Sequence, residues 1–190
     1  MKILINMDES ADNVLLKAGF PPLYIKTTEQ HPRFDELYEK IKVKKSLYIT
    51  GKVGVGKTQL AVDLVREYIS KKTLYGIPMF HNATRLLTTL RSSYGTFNTH
   101  EVYKQIRKAE ILIIDDLGVE KSTEWINEAL YMLINDRYET MRQTIVTTNL
   151  TIKEISTLFN DRIASRIVEM CEYVELTGVD RRFKNSSFKL

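Results

Sequence analysis

Lys57 and Thr58 close the stretch Gly51-Lys52-Val53-Gly54-Val55-Gly56-Lys57-Thr58. Glycines at 51, 54 and 56 let successive backbone amides turn toward one anion. A lysine right after the third glycine reaches the β- and γ-phosphates of a nucleoside triphosphate, and the next hydroxyl can ligate Mg²⁺. Gly51, Val53, Gly54, Val55, Gly56, Lys57, Thr58 and Gln59 are therefore the candidates for holding ATP with its Mg²⁺. The competing reading is a glycine-rich turn with a chance lysine. Two further polar positions fit the same chemistry. Asp115 and Asp116 end the apolar run ILII: Asp115 is placed to hold the Mg²⁺ shell, and Asp116 to orient or deprotonate the attacking water. A helix N-cap is the alternative role for Asp116. Asn149 ends the run TIVTT, where an amide could bond the γ-phosphate or the lytic water, or merely end a strand.

These residues need a scaffold, and the flanking sequence supplies one. SLYIT at 46–50 is an apolar β-forming run before the loop. After the loop, Leu60, Ala61, Leu64, Val65, Tyr68 and Ile69 share one helical face. A strand running into a helix N-terminus is the context that a phosphate-binding loop requires, because the helix end adds partial positive charge. Residues 111–114 read as a strand buried on both faces, typical of a parallel sheet, with the aspartates at its C-terminal end where such sheets place ligands. Strands are predicted at 46–50, 77–81, 111–115, 144–148 and 173–177. HPRFDELYEKIKVKK predicts a helix leading into the first strand. The stretch 19–32, with three of the four prolines, separates a short N-terminal piece from the rest.

The 190 residues suit one domain with a sizeable core. A net charge of +4 is compatible with a phosphate-rich partner and equally with a solvated basic surface. The one cysteine, Cys171, excludes an internal disulfide framework, lacks a spacing partner for zinc, and is expected to sit small and buried near a strand. The N-terminal apolar run is too short for a signal peptide, and no run approaches a membrane span. The expectation is a soluble cytoplasmic protein.

Arg162 and Arg166, four apart, share a helix face. They lie too far along the chain from the loop to be obvious members of its site. Either one presented to a neighbouring subunit's γ-phosphate would stabilise transition-state charge, and a surface pair with Asp161 or Glu169 is the bland alternative. Between the second and third strands, Arg85, Arg91, Lys104, Arg107 and Lys108 interleave with Tyr94, Phe97 and Tyr103. Cations tracking a backbone and aromatics stacking bases are the parts that single-stranded DNA binding needs. Leu86, Leu87, Leu90, Val102 and Ile106 give the same helices a core face.

GKVGVGKT, ILIIDDLG, RQTIVTTNL and DRIASRI, in this order, resemble the AAA+ ATPases, within them the bacterial helicase loaders of the DnaC/DnaI type and their IstB-type transposition relatives. AGFPPLYI resembles the family's lead into its ATPase core, and the likeness covers about residues 18–182. It implies an α/β P-loop NTPase with an AAA+ core: a five-stranded parallel sheet flanked by helices, the loop strand lying between the sensor strand and the last one. It implies Walker A at Lys57 and Thr58, Walker B at Asp115 and Asp116 (Asp where most relatives have Glu), sensor 1 at Asn149, and an arginine finger at Arg166 with Arg162 beside it. Arg181 or Arg182 stands where a sensor 2 arginine would be. The expected organisation is a leading segment 1–35, an ATPase domain 36–182 and a tail 183–190, without a C-terminal lid domain or a separate N-terminal helicase-binding domain.

The resemblance further implies ATP hydrolysis with Mg²⁺, contact with single-stranded DNA and a replicative helicase, and ATP-dependent self-association. Three other readings compete: an IstB-type transposition helper, a nucleotide-switched adaptor with little turnover, and a small-molecule kinase. The last lacks an arginine-rich lid.

Overall fold

Branched apolar runs buried on both faces form the centre of the molecule, β1 (Ser46–Gly51), β3 (Ile111–Leu117) and β4 (Gln143–Thr148). With β2 (Met79–Asn82) and β5 (Cys171–Leu176) they make one five-stranded sheet in the order β2-β3-β4-β1-β5, every pairing parallel. The loop strand β1 thus lies between the sensor strand β4 and the last strand, as the resemblance implied. The description rests on a computed structural model and covers residues 9–26, 30–71, 76–92, 97–119 and 121–181. Tyr94, Arg182 and the tail 183–190 lie outside the described residues, as do the side chains of Phe97 and Val102.

Period-two alternation sends the strand side chains into two cores. Leu47, Ile49, Ile111, Ile113, Ile145 and Val174 meet α1 (Ala11–Lys17), α2 (Pro22–Ile25), α3 (Phe34–Lys42) and α4 (Lys57–Ser70) on one face. Tyr48, Leu112, Ile114 and Val146 meet the other helices on the opposite face. Those are α5 (Ala83–Ser92), α6 (Phe97–Lys108), α7 (Glu124–Glu139), α8 (Ile152–Leu158) and α9 (Asp161–Met170). The six residues predicted for the inner face of α4 are all buried.

Two strand starts shift by two residues from expectation, and β3 runs two residues further, to Leu117. β2 starts after Pro78, which has no N–H to give the ladder. β5 begins at Cys171, because Cys171 and Glu172 pair with Ser46 and Leu47 as α9 ends. Cys171 is half-buried there. Among the described residues of the proline-rich lead-in, α2 forms and Phe20 and Ile25 are buried; before it, Asp12 of α1 bridges Arg66 of α4 at 2.6 Å.

Arg137 of α7 is fully buried. Its guanidinium donates to Thr144 Oγ1 (2.8 Å) and to the carbonyls of Ile106 (3.0 Å), Ala109 (3.1 Å) and Gln143 (2.5 Å). One cation thereby ties α7 to β4 and caps the carbonyl end of α6. Burial, and then Arg142, pull its pKa below the usual guanidinium value, yet it stays protonated at neutral pH. Nothing in the local pattern announced this role.

Candidate functional site

Gly56, at φ 98° and ψ 19°, caps α4 in the left-handed region, and Gly51 (φ 142°) and Gly54 (φ 80°) turn the chain before it. These conformations belong to glycine. Space demands glycine as well: a Cβ on Gly51 would lie 2.2 Å from the Leu176 carbonyl oxygen, and one on Gly54 would strike the Asp180 carboxylate. These turns bring the loop to the N-terminus of a 14-residue helix.

Lys57, almost wholly buried, donates from Nζ to the carbonyls of Gly51 (2.7 Å) and Lys52 (2.8 Å) and to Asn149 Oδ1 (2.6 Å). Thr58 Oγ1 donates to Asp115 Oδ1 at 2.7 Å. Thr147 Oγ1 donates to the same oxygen at 2.6 Å and accepts from the Asp116 amide at 3.0 Å. Burial raises the Asp115 pKa; the two hydroxyls, and Lys57 more weakly, act the other way. A buried carboxylate whose partners are two hydroxyls is the donor set of a hard cation site. Among the described residues no cluster of three or more acidic, histidine or cysteine side chains could cage a metal. Thr58 and Asp115 thus fit Mg²⁺ that keeps most of its shell in water and phosphate oxygens.

Asp116 does not cap a helix; the N-cap of α7 is Thr123. Instead Asp116 sits at φ 58°, where the β3–β4 register shifts between Ile114 and Leu117. The bulge breaks the alternation, so that both neighbouring aspartates reach one cavity. That cavity, about 560 Å³, is lined by Lys57, Thr58, Asp115, Asp116 and Asn149, and also by Leu23 and Tyr24 of α2 and by Arg181. The sequence reading missed Thr147, although period two from Ile145 places it on the Asp115 face. It also missed α2, whose Tyr24 carbonyl accepts from Gln59 Nε2 at 2.7 Å. Arg181 is tied to the loop, its amide donating to the Gly54 carbonyl at 2.9 Å.

A larger cavity of about 790 Å³ between α1, α3 and α4 is no rival for a polyphosphate. Asp12, Asp35, Asp63 and Glu67 line it, and its cation Arg66 already bridges Asp12.

Arg162 and Arg166 do not line the loop cavity. On α9 they flank a separate pocket of about 310 Å³ with Tyr131, Asp161 and Ser165. Arg162 stacks over the Tyr131 ring at 4.3 Å. Arg166 stacks over Tyr138 at 4.8 Å, donates to Asn135 Oδ1 at 3.0 Å and pairs with Glu169 at 3.0 Å. The cations of α5 and α6 are exposed: Arg91 lies over Trp125, Lys104 pairs with Glu101, and Arg107 pairs with Asp136. Arg85 and Lys108 are exposed on the same helices. Leu86, Leu87, Leu90 and Ile106 are buried, as their core face required. No helix among the described residues is long and apolar enough to cross a membrane.

The loop, the hydroxyl-bound aspartate and the strand order define a P-loop NTPase fold of the AAA+ type. The chain belongs to the family of IstB-like ATP binding proteins, which it matches over residues 37–188. It is 29% identical over 152 residues to the uncharacterized protein YqaM of Bacillus subtilis (strain 168), covering 76% of this chain and 47% of the relative. Two solved structures share the fold. The DnaC helicase loader has a TM-score of 0.66 at 24% identity, covering 80% of this chain and 95% of that one. DnaI has a TM-score of 0.72 at 20% identity, covering 83% and 95%. The chain spans about half the length of the curated relatives that it matches, between 47% and 59%.

Proposed function

We propose that this protein is an ATP-hydrolysing AAA+ protein of DNA replication, a helicase-loader-type ATPase that acts on single-stranded DNA and a replicative helicase. One observation carries the ATP site: Thr58 and Thr147 both donate to the buried Asp115, beside Lys57 and a glycine-rich loop at a helix N-terminus.

In this reading residues 51–59 hold the triphosphate. Three of the Lys57 acceptors are neutral oxygens, and a phosphate oxygen is a stronger, charge-assisted acceptor than any of them. Thr58 and Asp115 would hold Mg²⁺, whose chemistry there would be neutralisation of phosphate charge. Asp116 orients or deprotonates the attacking water, and Asn149 moves from Lys57 to the γ-phosphate or that water. Arg181, at the cavity wall, serves as the sensor 2 arginine. Arg166, with Arg162 beside it, completes the site of a neighbouring subunit. This explains why neither lines the cavity of its own chain. Arg85, Arg91 and the exposed cations of α6 contact single-stranded DNA.

One second reading is a transposition helper that assembles on duplex DNA, which membership of the IstB-like family supports as well as it supports the loader reading. ATP turnover with single-stranded and with duplex DNA separates the two. Stimulation by single strands supports the loader reading. Stimulation by duplex alone, with filament growth in ATP, replaces it. Tight ATP binding by wild type that Lys57→Ala abolishes, with negligible turnover under every condition, leaves a nucleotide-switched adaptor.

A further inference from the structure

Tyr48 and Thr50 lie two apart on β1, so period two sends both side chains to one face of the sheet. Both are buried, and neither lines the nucleotide cavity. Their hydroxyls converge on a single acceptor, the carbonyl of Leu150, each at 2.8 Å. Two donors thus fill the two lone pairs of one oxygen. The Leu150 amide donates to Thr148 Oγ1 at 3.0 Å, and that hydroxyl donates onward to the Leu117 carbonyl at the end of β3. The Leu150 side chain lies against Gly118, where a Cβ would come within 2.4 Å of its Cδ1. The next residue, Thr151, caps α8, and its amide and hydroxyl both donate to Glu154.

Asn149 stands between these anchors, exposed and just past the last residue of β4. Its Oδ1 accepts from Lys57 Nζ at 2.6 Å. Chain beyond a strand end ordinarily opens easily. Here bonds to β1, β3 and α8 hold the peptides on either side, and the side-chain torsions of Asn149 are left to move.

We infer that Tyr48 and Thr50 are positioning residues for Asn149: by bracing the Leu150 carbonyl they hold the Asn149 amide group where it can exchange Lys57 for a γ-phosphate or water oxygen. This rests on Asn149 acting as proposed above. Thr50 immediately precedes Gly51, so the strand that launches the phosphate loop also sets the distance from that loop to Asn149. Hydroxyls that merely satisfied a strand end would lower stability without any link to Asn149.

A double-mutant cycle tests that link. Tyr48→Phe, Thr50→Val and the pair together are made in wild type and in Asn149→Ala. Binding of a fluorescent ATP analogue shows that each protein is folded. One donor remains in each single variant, so each should lower kcat only a few-fold, and the pair about 10-fold or more, with KM for ATP within about 2-fold of wild type. Thr50→Ser keeps the donor and should match wild type. In the Asn149→Ala background the pair should change kcat by less than about 2-fold, because the residue that it positions is gone. If the pair does not fold, the single variants go through the same cycle; if wild type does not turn over, the cycle is read in the preference for ATP over ADP. Two results overturn the inference: a pair that leaves the readout unchanged in wild type, or one that lowers it as far in Asn149→Ala as in wild type. Failure of the Asn149 reading shows separately, as an Asn149→Ala protein that behaves like wild type, and it takes the inference with it.

Discussion

Thr58 Oγ1 lies 2.7 Å from Asp115 Oδ1 and joins the phosphate loop to the third strand by a single hydrogen bond. Those residues are 57 positions apart in the chain, so the contact depends on parallel register across the sheet.

Asp115→Asn keeps an acceptor for both hydroxyls and removes the charge that a divalent cation needs. Binding of ATP without Mg²⁺ should stay within a few-fold of wild type, while Mg²⁺-dependent turnover falls on the order of 100-fold. Calorimetric titration with and without Mg²⁺, beside a phosphate-release assay, measures both.

Gly54→Ala meets two obstacles, φ 80° and the Asp180 carboxylate. The strain should cost about 1–3 kcal/mol in urea denaturation and distort the amides that receive phosphate. Adding Asp180→Gly removes the collision but not the dihedral strain. The double variant should therefore recover only part of the stability.

Arg137→Ala removes a charged donor from the carbonyls of Ile106, Arg107, Ala109 and Gln143, of which Ile106 keeps the Ala109 amide. A loss of about 3–5 kcal/mol is expected, near what a domain of this size can bear. Arg137→Lys should rescue little, since one ammonium cannot reproduce the planar fork. Denaturant midpoints of the three proteins decide this.

Asp63 gives a pH signature. Burial raises its pKa to about 6, against the hydrogen bond from Gln59 and the charges of Arg66 and Arg181. A carboxyl with a raised folded-state pKa binds more protons folded than unfolded. Stability is then highest below the unfolded value and declines as pH rises through the folded value near 6. Asp63→Asn should flatten that decline and stabilise the protein at pH 7 by on the order of 1 kcal/mol after solvent screening. Thermal melts across the acidic range test the sign.

The phosphate loop, the Asp115 strand and the amphipathic α4 were legible because each is a local pattern, glycine spacing, a branched run or a helical face. Asp116 was ambiguous between cap and catalytic roles, since a β-bulge depends on how β3 pairs with β4. Thr147 and Tyr24 enter the cavity through sheet register and helix packing, which no window of sequence contains. Arg137 reads locally as one more surface cation of α7. Only the arrival of α6 and β4 around it makes it a buried clamp. Strand limits failed at Pro78, which gives the ladder no N–H, at Cys171, where pairing overrode pattern, and at Leu117, where β3 continues past its bulge.

If one chain's phosphate loop is completed by another chain's α9 arginines, as proposed, two proteins with opposite defects should restore each other when mixed. Lys57→Ala lacks a working loop but keeps Arg162 and Arg166; the Arg162→Ala/Arg166→Ala double variant has the opposite defect. Each alone should hydrolyse ATP on the order of 100-fold more slowly than wild type. Their mixture, with single-stranded DNA present, should regain a substantial fraction of wild-type turnover, and the wild-type rate should rise faster than linearly with protein concentration. A mixture no faster than the sum of its parts, with a double variant as active as wild type, would contradict the account.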